Sequence, residues 1–316
     1  MKISGPALAV SAMLSVQIGS ALSTHQFAAL TPAGSAWLRL AIAAILLLLI
    51  CRPRPRAIGW PALRGTLLLG AVTAVLTLAF IEAVARIPLG TAAAIEFLGP
   101  LGVAAVRSHR RSALAWPILA LAGVIGLTEP WHGRLNLSGA GFALAAALAW
   151  ACYILLTQRV GAQLDGLQGL AISLGTATVV AAPAAAWPAL RGLTPGLALQ
   201  GLGLAALVPL LPFSFELLAL RRMSVAAFGT LMALEPAMAA VIGLLLLGQL
   251  PAGWQVAGVA LVVVAGIGAQ RPQRAAVAKP AAVAAPAAAA ELAGVAAPAA
   301  AGPAAAAGQP ITSASR

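Results

Sequence analysis

The sequence predicts an all-α membrane protein with ten transmembrane helices, arranged as two inverted five-helix repeats. Three observations lead to this fold class. Of the 316 residues, 61% are hydrophobic and only 8% are charged, and the mean hydropathy of +0.99 is far above that of a soluble domain. Apolar runs of about twenty residues, long enough to cross a bilayer as helices, recur along the chain. The two halves of the chain also resemble each other around a pair of prolines.

Ten apolar runs are predicted to cross the membrane, with short loops between them. The first run follows Lys2 and ends in small residues, as a secretory signal peptide does. The next run starts only a few residues later, so we expect the first to be retained. The predicted spans are 4–24, 33–51, 63–85, 88–107, 112–128, 137–158, 166–187, 197–219, 224–247 and 253–270.

The basic residues give the predicted orientation. Nineteen Lys and Arg against seven Asp and Glu give a net charge of +12, which in a soluble protein would suggest a nucleic-acid partner. Here fifteen of the nineteen fall in loops on the side of the N-terminus, whereas Arg86, Arg134 and Arg191 fall on the other side and Arg39 lies within a span. The positive-inside rule therefore places both termini in the cytoplasm of a multi-pass protein of the cell (inner) membrane. We therefore expect the chain to contact the lipid bilayer and not to bind nucleic acid.

The chain divides into three predicted segments. Residues 1–130 form the first five-helix repeat, 131–270 the second, and 271–316 a tail. The tail has 22 Ala and six Pro among its 46 residues, so we expect it to be a disordered cytoplasmic segment.

The residue types argue against cofactors, metals and enzymatic chemistry. Cys51 and Cys152 both fall within or at the edge of spans, which indicates neither a disulfide nor a thiolate metal site. The three histidines lack metal-ligand spacing, and no phosphate-binding Gly-rich string is present. Because no acid, base and nucleophile cluster together, we expect no enzyme activity.

The repeat is visible in the spacing of arginines and prolines. Arg86 precedes Pro100 by fourteen residues, and Arg222 precedes Pro236 by the same interval, so the halves align at an offset of 136. Because each unit has an odd number of spans, the second unit enters the membrane in the opposite orientation. Inverted repeats of this kind are typical of alternating-access transporters.

Both prolines are predicted to interrupt their helices. A proline lacks an N–H, so Pro100 leaves the carbonyl of Glu96 without its helical partner, and Pro236 does the same to Met232. In a bilayer such carbonyls must face protein, water or a ligand. The fourth and ninth spans are therefore expected to border an internal cavity.

Four glutamates lie within the predicted spans, where an ionised carboxylate costs about 2.5 to 3.5 kcal/mol at the bilayer centre. Glu82 lies near an outer span end, and we interpret it as an interfacial carboxylate beside Arg86. Glu216 lies near an inner end, so its position alone allows the same interpretation. Glu96 and Glu235 lie near the middle of their spans.

Two roles are open for the deep glutamates Glu96 and Glu235. A protonated carboxyl can hydrogen-bond to a neighbouring helix and act as interhelical glue. We favour the alternative, in which both line a central cavity and bind either the substrate ammonium or the coupling proton, because proton-coupled carriers need buried carboxyls that load and unload a proton.

Three other polar residues within the spans are candidates for the site. Arg39 lies about six residues from an outer boundary, roughly 9 Å at about 1.5 Å per residue, and either snorkels to the interface or pairs with a substrate carboxylate. Gln17 and Gln158 lie in the first helices of the two repeats. Either interhelical glue or cavity lining fits them.

Three stretches carry a resemblance to a known family: IPLGTAAAIEFLGPLGVA at 87–104, ALAWACYILLTQRVGA at 147–162 and PFSFELLALRRMSVAAFGTLMALEPAMAAVIGLLLLGQ at 212–249. From about residue 5 to 270 the chain resembles the EamA-type transporters of the drug/metabolite transporter superfamily, and within it the threonine and homoserine exporters of bacterial inner membranes. The resemblance implies a ten-helix fold and export of small amino acids or related metabolites in exchange for protons.

The resemblance also implies which residues matter and where this chain departs from its relatives. Glu216 gains a functional interpretation, because it lies within a similar stretch. The family commonly ends its ninth helix in Leu-Gly-Glu, whereas Gln249 stands here after Leu-Gly, and the third span lacks tyrosine. The alternative substrate class is another small amphipathic metabolite or drug. The motif residues that carry over are Gln17, Arg39, Glu96, Pro100, Gln158, Glu216, Glu235 and Pro236.

Overall fold

The computed structural model of the chain describes residues 4–53, 58–107, 114–129, 136–161, 168–220, 222–223 and 225–270. Within these ranges the regular elements are all helices, as the apolar runs predict. The predicted disordered tail at 271–316 lies outside the described residues.

Seven α-helices, with a short 3₁₀-helix at Thr24–Gln26, make up the first half of the described chain. Two begin with an N-cap: the Ser4 hydroxyl accepts from the N–H of Ala7, and the Thr31 hydroxyl accepts from the N–H of Gly34. The helices are α1 (Gly5–Ser23), α2 (Phe27–Leu30), α3 (Pro32–Cys51), α4 (Trp60–Val84), α5 (Leu89–Glu96), α6 (Leu98–Arg107) and α7 (Ala115–Thr128).

Seven more helices make up the second half: α8 (Leu137–Gly161), α9 (Gln168–Arg191), α10 (Pro195–Ala205), α11 (Leu211–Leu220), α12 (Val225–Met232), α13 (Glu235–Leu247) and α14 (Gly253–Gln270). Across the described chain, seven apolar helical segments are long enough to cross a membrane, and three more are apolar but shorter. The multi-pass helical fold is thereby confirmed, whereas the ten-span inverted arrangement stays a prediction.

Two of the membrane segments are split close to a proline. α5 ends at Glu96 and α6 begins at Leu98, so Pro100 lies in the first turn of α6. In the same way α12 ends at Met232, and Pro236 lies in the first turn of α13. A proline is tolerated in a first turn because the N–H it lacks would have no partner there. Each interrupted helix thus ends four residues before its proline.

A third interruption was not predicted. The sequence suggests one continuous span over 197–219, but a π-helical segment, Ala206–Leu210, separates α10 from α11. Val208 in this segment has φ of −149° and ψ of 109°, outside the helical region. Pro209 follows it and cannot donate to a helical ladder. The eighth predicted span, 197–219, is therefore not one continuous α-helix.

Close backbone approaches fix how the helices cross. A Cβ added at Gly123 of α7 would lie 2.6 Å from the carbonyl oxygen of Gly258 in α14. A Cβ added at Gly258 would likewise lie 2.6 Å from the carbonyl oxygen of Gly123. Small residues permit such contacts between membrane helices. Gly34 lies beside Ala189, and Leu48 lies beside Gly175, so α3 and α9 pack antiparallel.

The outer surface of the bundle is apolar. Aliphatic side chains such as Ile45 and Val179 are 57% and 71% exposed, which suits contact with lipid and not with water. At the end of α4 the guanidinium of Arg86 lies 4.7 Å from the ring centre of Phe142. At the end of α9 that of Arg191 lies 4.4 Å from the ring centre of Trp187. Such amphipathic pairs are typical of a membrane–water boundary.

Candidate functional site

A cavity of about 540 Å³ lies inside the bundle. On α8 its lining comes from the second half of the helix, and on α9 from the first turns, so the cavity is offset toward the end of the bundle where α9 begins. Apolar and aromatic side chains dominate the lining, and the polar exceptions are few. This combination is typical of a small-molecule site, in which a few polar groups orient the ligand.

Three glutamates meet in this cavity. Glu96 is the last residue of α5, Glu235 is the first residue of α13, and Glu216 lies within α11. All three line the cavity, and Glu235 interacts electrostatically with both Glu96 and Glu216. Glu96 and Glu235 are only 8% and 7% exposed. Both occupy helix ends created by the interruptions, which explains how distant parts of the sequence place carboxyls at one site.

Gln17 is the direct partner of Glu235. Gln17 is fully buried in α1, and its Nε2 donates to Glu235 Oε1 over 3.2 Å. Glu235 Oε2 and Gln17 Oε1 are also buried, and among the described residues neither has a hydrogen-bond partner. Each atom therefore retains an unused acceptor in a place where unsatisfied polar atoms are costly. Gln17 is not in the described lining of the cavity, so Glu235 is the member of the pair that can accept a donor supplied by a ligand.

Arg39 is not part of the described lining of the cavity. Its side chain in α3 is 4% exposed, so it does not snorkel to the boundary. It interacts electrostatically with Glu96, and within the described chain its Nη1 has no hydrogen-bond partner. The guanidinium is thus placed to act on Glu96 from within the protein.

The remaining predicted residues are distributed differently. Pro100 lines the cavity, whereas Pro236 is buried next to Glu235 and is not in the described lining. The side chain of Gln158, near the end of α8, lies outside the described residues. Glu82 forms an ion pair with Arg86, as its interfacial interpretation expects.

Four aromatic residues of the lining were not singled out from the sequence: Phe97, Trp150, Tyr153 and Phe228. Phe97 and Trp150 pack edge to face, with ring centres 6.4 Å apart. Tyr153 is hydrogen-bonded to Thr157 and interacts electrostatically with Glu216. It is also the chain's one tyrosine, so a search for unique polar aromatics within spans would have found it.

Within the described ranges, no group of three or more His, Cys, Asp or Glu side chains is placed to hold a metal ion. The side chains of the described lining offer proton exchange, hydrogen bonding, and attraction of a cationic group by carboxylates.

An apolar helical bundle with an acid-lined internal cavity is the architecture of a membrane transporter. The family model described as EamA-like transporter family matches residues 137–268. The threonine/homoserine exporter RhtA of Salmonella typhimurium is 34% identical over 260 residues, covering 81% of this chain and 88% of that protein. The exporter of the same name from Escherichia coli K12 is 33% identical with the same coverage. The chain belongs to the EamA-like transporter family, a family of transporters and not of enzymes.

A solved crystal structure has the same overall fold. Its TM-score with this chain is 0.57 at 18% sequence identity, over 86% of this chain and 98% of the other. At this identity the likeness concerns the fold alone.

Proposed function

We propose that the protein is a proton-coupled exporter of small amino acids or related metabolites, threonine- or homoserine-like, across the cytoplasmic membrane. The observation that carries this proposal is the meeting of three glutamates in one cavity, with Glu96 and Glu235 at the ends of interrupted helices and Glu216 within α11. The named function of the relatives supports the substrate class. The distribution of Lys and Arg supports an orientation with both termini in the cytoplasm.

Alternating access requires two units that can move against each other, and the packing supports such units. At an offset of 136, α4 corresponds to α10 and α11, and α8 corresponds to α1. The α4–α8 contact then has its counterpart in the contact of α11 with α1. The pairs α3–α9 and α7–α14 each correspond to themselves. This pattern is expected of two inverted five-helix repeats related by a pseudo-two-fold axis.

In the proposed exchange, Glu235 is the group for which cargo and proton compete. Gln17 holds one carboxyl oxygen, and the other oxygen has no partner in the described chain. That second oxygen can carry a proton or accept from a substrate ammonium, but the two occupants exclude each other. Binding of one therefore releases the other, which couples export to proton entry. Glu96 and Glu216, within electrostatic range, adjust the charge of the site.

The substrate carboxylate would be met by neutral groups. The described lining contains no Lys, Arg or His, and Arg39 stands outside it. The Thr73 hydroxyl donates to the Leu69 carbonyl over 2.8 Å, so the neutral donors of the described lining are the hydroxyls of Ser173 and Tyr153 and the indole N–H of Trp150. In this conformation, we assign Arg39 to Glu96 and not to the cargo.

The aromatic lining favours one second candidate, an exporter of another small amphipathic metabolite or drug. Phe97, Trp150, Tyr153 and Phe228 surround a space larger than a four-carbon amino acid requires. Aromatic faces also attract organic cations. A cargo with an apolar body and a single amine would use both the rings and the glutamates.

The test is transport in proteoliposomes containing the purified protein. We expect an imposed pH gradient to drive threonine or homoserine movement, and Glu235→Gln to abolish that response. Glu82→Gln is the matched control, because Glu82 pairs with Arg86 at the boundary and should leave transport intact. Transport by Glu235→Gln that equals wild type at every pH would refute the proton role. A response to apolar amines but not to amino acids would establish the second candidate.

A further inference from the structure

One side chain joins the ends of α5 and α13 that lie away from the glutamates. Gln249 Oε1 accepts a hydrogen bond from the backbone N–H of Leu89 over 2.9 Å. Leu89 is the first residue of α5, so this N–H has no acceptor within its own helix. Pro88 at the N-cap provides no side-chain bond. Gln249 therefore caps a helix from a segment 160 residues away.

The local backbone holds Gln249 in place. The N–H of Gln249 donates to the carbonyl of Gly243 over 3.1 Å, and Gly248 between them adopts φ of +64°. This left-handed conformation favours glycine and turns the chain back over the end of α13. A Cβ at Gly243 would lie 2.7 Å from Gln249 Oε1, so glycine also leaves room for the amide. These local contacts hold the Gln249 amide in position independently of α5.

The two helices touch closely beside this bond. A Cβ added at Gly90 would lie 2.8 Å from the Cβ of Ala240, which brings α5 and α13 almost into backbone contact. At their other ends the same helices present Glu96 and Glu235 to the cavity. One helix pair is therefore closed at one end and borders the substrate cavity at the other.

We propose that Gln249 is the latch of a gate: its bond to Leu89 holds together the ends of α5 and α13 that lie away from the cavity, and it breaks when those ends separate. This inference rests on the proposed alternating-access function. Because α5 is only eight residues long, about 12 Å, it can move as one rigid piece between the latch and Glu96. Gln249 does not line the main cavity, so it is a positioning residue that acts on the gate.

The experiment measures opening at the latch directly, with purified protein in nanodiscs, where both membrane faces are accessible. Cys51 and Cys152 are replaced, and Thr91→Cys is introduced as the reporter. Thr91 is 4% exposed and faces a small cavity that Gln249 also lines, so a maleimide should reach it only when α5 separates from α13. Loss of one hydrogen bond in Gln249→Ala should raise the labelling rate by about two- to tenfold.

Gln255→Ala is the matched control. Gln255 lines the same small cavity, but its Oε1 accepts from Ala252 within its own segment, so its loss leaves α5 and α13 joined. Gln249→Glu keeps an acceptor at a helix N-terminus, where a carboxylate is favourable, and should label no faster than wild type. If Gln249→Ala does not fold, Gln249→Asn withdraws the acceptor by one methylene and gives the same comparison.

Two results would overturn the latch. One is an unchanged labelling rate in Gln249→Ala, and the other is an equal rise in Gln255→Ala, which would indicate general loosening of this end. Labelling requires neither substrate nor a proton gradient, so its outcome is independent of whether Glu235 exchanges protons. Failure of the latch and failure of the proposed transport chemistry are therefore distinguishable.

Discussion

Gln17 and Glu235 form a buried hydrogen bond between α1 and α13, two helices that lie 218 residues apart in sequence at this contact. Replacing Gln17 with Met keeps its length but removes the donor. The Glu235 carboxyl then loses its described partner, which should cost about 1 to 3 kcal/mol of stability. We also expect a weaker affinity for substrate, seen as a raised half-saturation concentration in proteoliposome transport.

Gln26→Met is the control for this change. Gln26 is an equally buried amide, but its described partners are Ser35, from which it accepts over 2.8 Å, and the carbonyl of Leu197, and neither of them lines the cavity. It should lower the thermal unfolding midpoint without altering the half-saturation concentration. Equal effects of the two variants on transport would mean that Gln17 has only a structural role.

Arg39 and Glu96 should be energetically coupled, because their buried side chains interact electrostatically. Arg39→Gln and Glu96→Gln each remove one partner and leave the other without its counter-charge, whereas the double variant removes both. The stability loss of the double variant should fall short of the sum by about 0.5 to 3 kcal/mol. Thermal unfolding in detergent measures this double-mutant cycle.

The boundary pair Arg86 and Glu82 supplies the comparison for that cycle. Both side chains are partly exposed, so their coupling should be below about 1 kcal/mol. Strict additivity at Arg39 and Glu96 would show that the two charges do not act on each other.

The crossing of α7 and α14 should not tolerate a single added methyl group. A Cβ at Gly123 meets the Gly258 carbonyl oxygen at 2.6 Å, so Gly123→Ala should destabilise the protein by about 1 to 3 kcal/mol. Gly141→Ala is the control, since nothing lies within 4 Å of its Cβ position in α8. The control should be neutral or slightly stabilising, because alanine favours a helix interior. A Gly123→Ala protein with an unchanged unfolding midpoint would contradict the described crossing.

Trp150 should influence which substrates the cavity prefers. Trp150→Leu removes an aromatic face and its edge-to-face contact with Phe97. Competition by apolar amines against labelled threonine should weaken more than competition by threonine itself. Trp187→Leu changes an exposed tryptophan beside Arg191 and should leave the preference unchanged. An identical substrate order in wild type and Trp150→Leu would show that the ring does not select cargo.

The sequence was sufficient for the helical membrane fold and for two of the three helix interruptions. Apolar run length determines which segments cross a bilayer, so helix positions were predictable. Proline alone did not determine breaks: Pro183 and Pro188 lie inside the continuous helix α9, whereas Pro209 adjoins the interruption near Val208. Whether a proline breaks a helix depends on how neighbouring helices satisfy the freed backbone groups, and this information is not local.

The candidate site was predictable for its charged members and not for its contacts. A carboxyl in mid-membrane is costly enough to attract attention, so Glu96 and Glu235 stood out. The partnership of Gln17 with Glu235, and the assignment of Arg39 to Glu96, depend on how α1, α3, α5 and α13 pack. The sequence does not distinguish Trp150 from the other apolar residues of the spans, because its place in the lining depends on how the helices pack.

The contacts of Arg86 with Phe142 and of Arg191 with Trp187 mark the depth at which the protein sits. Both occur at the end of the molecule where α5 begins and the latch closes. Amphipathic anchors resist vertical displacement, so a bilayer thinner or thicker than the apolar belt would be accommodated mainly at the opposite leaflet. That leaflet surrounds the end of the bundle toward which the cavity is offset, which makes lipid chain length a physical variable acting on the cavity.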